Sequence, residues 1–220
     1  MPRKVRDPKP LIYVFCEGES EQAYTKFLKN QYKDFAVIQC VPQTGLFEVA
    51  RDKFKKDVKY RNYVDVTDEI WFFFDVEDSD IGKWEKRLKI VKSLRNLRKK
   101  PNIRVRLLMT TACIEYWLLL HYKLTVPPIH TVADKERILK QLQELAPAYT
   151  KGNLDETAKI AVKYKDAAQR GSQTLEALLA EGMPSREDSD ERNEWLCRCQ
   201  LTFTTVQEAI QFLESCSNGR

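Results

Sequence analysis

The chain has 220 residues, of which 31% are charged, 43% hydrophobic and 10% aromatic, which is ordinary for a globular chain and too apolar for a disordered one. The 37 Lys and Arg nearly balance the 32 Asp and Glu, and the length suits one core domain with an appended part. The longest apolar runs, Trp71–Phe74 and Trp117–Leu120, fall far short of the ~20 residues of a membrane span, and the basic start Met1–Arg6 lacks a long apolar signal segment, so a cytoplasmic protein without membrane contact is expected.

Leu11–Cys16 is a continuous apolar run after Pro10, the pattern of a strand buried on both faces. Glu17-Gly18-Glu19 follows, and Ser20 stands as N-cap of a helix carrying Tyr24, Phe27, Leu28 and Tyr32. Phe35–Val41 reads as a second strand closed by Pro42, and Thr44-Gly45 opens a charged helix with Leu46, Phe47, Val49, Phe54 and Val58 on its apolar positions. Asp68–Phe74 is the strongest strand signal and ends in Asp75-Val76-Glu77-Asp78-Ser79-Asp80. A basic helix follows, with Trp84, Leu88, Val91, Leu94 and Leu97 at spacings of three and four, stopped by Pro101-Asn102. Ile103–Met109 is a fourth strand and Cys113–Tyr122 a short apolar helix. Alternating strands and helices imply a mostly parallel four-stranded sheet flanked by helices, here over residues 1–126. After Pro127-Pro128 only helical patterns remain, at 133–146, 154–170, 172–182 and 204–216, with Gly171, Gly182 and Pro184 as punctuation. Residues 127–220 are therefore expected as a helical C-terminal part packed on an α/β core.

Charge is unevenly spread. Lys83 to Arg106 holds eleven Lys or Arg and one acid, Glu85, whereas Glu181 to Glu194 holds six acids and two Arg. The basic segment suits a phosphate-binding surface, with Lys83, Lys86, Arg87, Arg104 and Arg106 as contacts; a solvated helix face is the plainer reading. The six cysteines form no CxxC pair and only His121 and His130 could supply imidazole, which favours small core thiols over a zinc site.

Ligands of open parallel sheets bind beyond the carboxyl ends of the strands. Two acidic clusters fall there: Glu17 with Glu19, and Asp75 with Glu77 and Asp78. Carboxylates suit Mg²⁺, and a cage of them could generate a hydroxide nucleophile and stabilise a leaving oxygen. Acids also collect at helix starts for local reasons.

Leu11-Ile12-Tyr13-Val14-Phe15-Cys16-Glu17-Gly18-Glu19-Ser20-Glu21 resembles the opening motif of the RloB-like family. Ile70–Asp75 with Val76-Glu77-Asp78 resembles its second motif, an apolar strand ending in Asp-x-Asp, and Cys113–Tyr122 its third, a Phe-Glu-x-Trp stretch ending in His and an aromatic. Leu201–Val206 is similar to a C-terminal Asn-Pro-x-Thr element, and Thr111-Ala112 stands where the family usually carries Asn-Pro. The resemblance implies a Toprim-like (Rossmann-like) α/β nuclease domain of bacterial anti-phage defence, with Mg²⁺ (or Mn²⁺) as cofactor, beside an ABC- or SMC-like ATPase partner. It implies Glu17 as metal ligand or general acid/base, Asp75 as the first Asp of Asp-x-Asp, and Glu77 in the second place with Asp78 as its alternative. Glu115 and His121 match the third motif, as a further acid and a helix-end or core residue. A homodimer is also suggested by relatives of this type.

Three functions compete. The first is a Mg²⁺-dependent endonuclease acting on RNA such as tRNA, or on DNA, with Lys59-Tyr60-Arg61-Asn62-Tyr63 as an aromatic-basic element for single strands or as helix-end packing. The second is a non-catalytic effector acting through a partner ATPase, with the Glu181–Glu194 segment as a docking element or a flexible loop. The third is a small-molecule phosphotransfer or phosphatase domain.

Overall fold

The computed structural model describes residues 8–42, 45–77 and 82–218. Its centre is a sheet of β1 (Leu11–Cys16), β2 (Val37–Pro42), β3 (Thr67–Val76) and β4 (Arg104–Thr111), in the order β2-β1-β3-β4 with every neighbouring pair parallel. Side chains alternate across a strand, so the unbroken apolar runs of β1 and β3 feed two cores at once. Ile12, Val14, Cys16, Trp71 and Phe73 pack on one face; Tyr13, Phe15, Ile70, Phe72 and Phe74 pack on the other. This is the α/β Rossmann-like architecture that the alternating pattern implies.

The first face is covered by α1 (Glu19–Gln31), α5 (Ile114–Leu119), α6 (Val132–Leu145), α7 (Leu154–Ala161), the start of α8 (Tyr164–Ala177) and α10 (Gln207–Asn218). The second is covered by α2 (Leu46–Lys56), α3 (Val58–Asn62), α4 (Trp84–Arg95) and α9 (Asp190–Arg198). Residues after 126 join both cores: Ile138, Leu142 and Leu213 enter one, and Leu178, Leu196 and Phe203 the other.

Four local features differ from the sequence expectation, each with a physical reason. The helix opened by Gly45 breaks at Asp57, whose side chain accepts from the Lys59 N–H at 2.9 Å and starts α3, leaving Val58 64% exposed. Gly171 does not punctuate a helix but lies buried inside α8, where a Cβ would sit 2.8 Å from the Gln207 side chain, so its missing side chain permits close packing of α8 on α10. The last part of the acidic segment, from Asp190, opens α9, with Ser189 accepting from the Arg192 N–H. Finally, residues 204 and 205, expected to open the last helix, are extended, and α10 begins at Gln207. The Thr111 N–H donates to the Phe203 carbonyl at 3.0 Å and the Thr205 N–H to the Met109 carbonyl at 2.8 Å, covering the carboxyl end of the β4 edge.

Candidate carboxylate site

From β1 the chain passes to β2 on one side, while β3 lies on the other. The gap beyond β1 and β3 is therefore the switch point where such sheets bind ligands. Glu17 leaves β1 there, its N–H donating to the Phe73 carbonyl at 3.1 Å. That bond fixes the turn beside Asp75, the penultimate residue of β3. Gly18, not Ser20, occupies the N-cap position of α1. Ser20 is buried instead beneath the α6–α7 loop, accepting from the Gly152 N–H at 3.0 Å and lying 3.4 Å from the Tyr149 hydroxyl. Gly152 has φ +74°, and a Cβ there would meet the exposed Glu19 side chain at 2.7 Å. Glu19 thus borders the docking of this loop.

Four acids face one another electrostatically at this end of the sheet. Burial drives Asp75 well above the carboxylate range, Glu21, Glu115 and Glu17 push it further, and Lys135 opposes them. Its Oδ1 is buried with no hydrogen-bond partner. Glu21 is 4% exposed; burial raises it to about 7, Glu115 and Glu17 add to this, and the backbone N–H groups of Glu21 and Gly18 hold it back. Gly18 makes room for that carboxyl, because a Cβ would lie 2.6 Å from Glu21 Oε2. Glu115, 2% exposed in the first turn of α5, accepts from the Tyr149 hydroxyl at 3.1 Å and has Lys151 Nζ 3.7 Å away. Cys113, between β4 and α5, is pushed up to about 12 by burial and then by Glu115 and Asp75.

The sequence-predicted residues divide. Glu17 and Asp75 belong to this electrostatic group, and Glu115 joins them. Glu77 is exposed and ion-paired with Lys135 of α6, and Asp78 lies outside the described residues. Among the described residues no three His, Cys, Asp or Glu side chains converge as a ready metal cage. The expected cage of Glu17, Asp75 and Glu77 is therefore not assembled; Glu21, read from sequence as a first-turn helix residue, is a closer electrostatic neighbour of Asp75. The donor set nonetheless fits Mg²⁺ in its usual open form, one or two carboxylates completed by water and substrate phosphate, and the orphaned Asp75 Oδ1 is an oxygen that such a cation would satisfy.

His121 is a core residue. It donates Nδ1–H to the Trp117 carbonyl and accepts at Nε2 from the Tyr24 hydroxyl, and burial lowers its pKa to about 3. The cysteines are free thiols, Cys16, Cys113 and Cys197 being buried.

The basic segment also divides. Lys83, Lys86 and Arg87, at the start of α4, line a cleft of about 320 Å³ with Glu17, Gly45 and Phe47. Lys86 pairs with Glu48 at 2.6 Å, and Arg87 lies over the Phe47 and Phe74 rings. Arg104 and Arg106 lie elsewhere. In the sheet register Arg106 sits beside Trp71 while Asp75 sits beside Thr110, a separation of four residues or about 13 Å along the strand. Arg106 binds both Glu69 oxygens, at 3.0 and 3.1 Å, and Arg104 pairs with Asp188 at 2.9 Å. They approach the wrong strand end for the carboxylates, where Asp188 of the acidic segment neutralises Arg104 and Glu69 of β3 neutralises Arg106. Tyr60 packs on Tyr13 and Phe54, leaving Tyr63 as the exposed ring of that pair.

No helix among the described residues is long and apolar enough to cross a membrane. No curated protein and no solved structure matches the chain. The family model of the RloB-like protein matches residues 12–213, from the first positions of β1 into α10 and across every acid of the site. The chain belongs to the RloB-like family.

Proposed function

We propose that this protein is a Mg²⁺-dependent endonuclease of the Toprim type, cleaving phosphodiester bonds of RNA such as tRNA, or of DNA, in bacterial anti-phage defence under a partner ATPase. One observation carries the reading: Asp75, Glu17, Glu21 and Glu115 gather at the switch point so that burial and mutual repulsion raise Asp75 and Glu21, next to the lysines of α4. Burying carboxyl groups that repel one another is costly, and such clusters mark functional sites.

Asp75 and Glu17 are the residues that would hold Mg²⁺, which supplies Lewis-acid stabilisation of a phosphodiester and a low-pKa water. Glu21, with a pKa of about 7, is suited to accept or return a proton at neutral pH. Glu115 is oriented by the Tyr149 hydroxyl and stands behind Asp75 as a source of negative potential. Lys83 and Lys86 draw the phosphate backbone towards Glu17.

The engagement of Glu77 by Lys135 favours a second reading, a non-catalytic effector that works through its ATPase. The two separate in one experiment. Purified protein, with and without ATPase partners, is incubated with DNA, bulk tRNA and mRNA in Mg²⁺ or Mn²⁺. Cleavage by the wild type that is lost in both Glu17→Ala and Asp75→Ala supports the nuclease. No cleavage under any condition, or undiminished cleavage by both variants, supports the effector.

A further inference from the structure

A second cleft of about 300 Å³ opens beside the carboxylates, beyond the ends of β3 and β4. Its walls are apolar, from Val76, Ile129, Val132 and Leu201; its polar groups include the ion pair of Lys135 with Glu77. Lys135 connects it to the carboxylate site, since that ammonium is the cation that opposes the charge around Asp75.

The backbone marks the same place independently. Ala112, with φ 63°, and Gln200, with φ 52°, are the non-glycine residues with positive φ among the described residues, and both line this cleft. Left-handed conformations at such residues are strained and persist where the surroundings hold them, often at ligand clamps. Here the holding contacts are visible. The Ala112 N–H donates to the Val76 carbonyl at 2.9 Å, and the extended segment that follows Gln200 is bonded to β4. Two strained turns from distant parts of the chain thus shape the walls of one hollow.

We propose that this cleft binds a single unpaired nucleotide next to the scissile phosphate, and hence that the substrate is single-stranded or looped nucleic acid. The identity of the ligand rests on the nuclease reading; the argument for its form is geometric. The volume lies at the small end of ligand pockets, ~300–1,000 Å³, which admits a nucleotide and excludes a duplex. Apolar walls take the face of a base, and Lys135, exchanging Glu77 for it, meets its phosphate. Bases splayed from a single strand are read in this way.

The test is equilibrium binding by fluorescence anisotropy in EDTA, where cleavage plays no part. Labelled single-stranded RNA and DNA oligonucleotides are compared with duplexes of the same sequence, with free mononucleotides as competitors, on the wild type, Val132→Trp and Asp75→Asn. Val132 is 71% exposed at the cleft, so the indole narrows the mouth without entering the core. Single strands should bind about tenfold tighter than duplex. Val132→Trp should abolish that preference and leave duplex affinity unchanged, while Asp75→Asn keeps the preference. Equal affinity for single strand and duplex, single-strand binding untouched by Val132→Trp, or a mononucleotide that binds as tightly as the oligonucleotide each overturns the proposal. Cleavage in Mg²⁺ separates it from the nuclease reading. Wild type that cuts duplex and single strand alike sinks the cleft and keeps the nuclease. Wild type that prefers single strands through Val132 but cuts nothing keeps the cleft and sinks the nuclease.

Discussion

The two ends of the sheet hold the same residue types and partner them differently. At the amino end of β3 and β4, every buried acid of the network has a cation. Glu69 is bound by Arg106, Asp188 by Arg104 and Arg192, and Glu208 by the fully buried Arg192. Asp188 stays below its ordinary pKa despite burial, because Asn193, Arg192 and Arg104 hold its charge. At the carboxyl end Asp75 moves the other way, raised by burial and then by Glu21, Glu115 and Glu17, with Lys135 opposing them. A chain that folds by minimising uncompensated charge would treat both ends like the first. The difference teaches that the amino end is built for stability, and it is the ground for the ligand proposed at the carboxyl end.

The largest expected effect breaks the compensated end. Arg192→Ala leaves Glu208 and Asp188 facing each other with one fewer cation in a dry site, and should cost about 3–5 kcal/mol, read as a fall in the urea midpoint. Arg192 also donates to the Arg186 carbonyl at 2.6 Å, so the loop ahead of α9 should become protease-sensitive. A variant as stable as the wild type would remove the structural half of the contrast.

The next effect concerns pH. Glu21 titrates near 7 in the fold against an ordinary 4.5, so between these values the folded chain binds the extra proton. Stability attributable to Glu21 is therefore present at low pH, declines as pH rises from about 4.5 to 7, and totals about 3 kcal/mol. His121 has the opposite sign, because its lowered pKa removes stability as pH falls below about 6.5. Subtracting urea curves of Glu21→Gln from those of wild type across pH 4.5–8 cancels the histidine and isolates the glutamate. A flat difference would show that Glu21 is already compensated.

Smaller still is the gain from Asp75→Asn, which removes a carboxyl that burial and its acidic neighbours disfavour in its charged form. It should stabilise the fold by about 0.5–2 kcal/mol while abolishing the proposed cleavage. Millimolar Mg²⁺ at pH 8 should raise the Tm of the wild type by a few degrees and leave Asp75→Asn unmoved. An equal shift in both would place the cation elsewhere.

The strands and most helices were legible because their signals are local: apolar runs in β1 and β3, and three-four spacing in α4. Asp75 and Glu17 were legible for the same reason, as acids directly after apolar strands. What escaped depends on contacts distant in sequence. Glu21 looks like any first-turn glutamate until α5 brings Glu115 and β3 brings Asp75 against it. The misplacement of Arg104 and Arg106 has the same origin, since nothing near them announces that Asp188 and Glu69 will claim their charge. One signal was available: Arg104 and Arg106 begin a parallel strand whose end, not its beginning, adjoins the site.

The smallest predicted effect tests that correction directly. Arg104 is half exposed in its pair with Asp188, so Arg104→Ala should cost under about 1 kcal/mol. If its charge is spent on Asp188, nucleic-acid affinity and its salt dependence should not change. Lys83→Ala and Lys86→Ala lie beside Glu17 and should behave differently because of that place, although Lys86 also pairs with Glu48. Each should weaken binding at low salt and lower the slope of log affinity against log salt by about 0.7–0.9 per phosphate contact removed. Anisotropy titrations from roughly 50 to 200 mM salt resolve such a change even where the affinity loss is small. Equal slopes for Arg104→Ala and Lys83→Ala would mean that backbone phosphates run the length of the sheet, and that the amino end also serves the ligand.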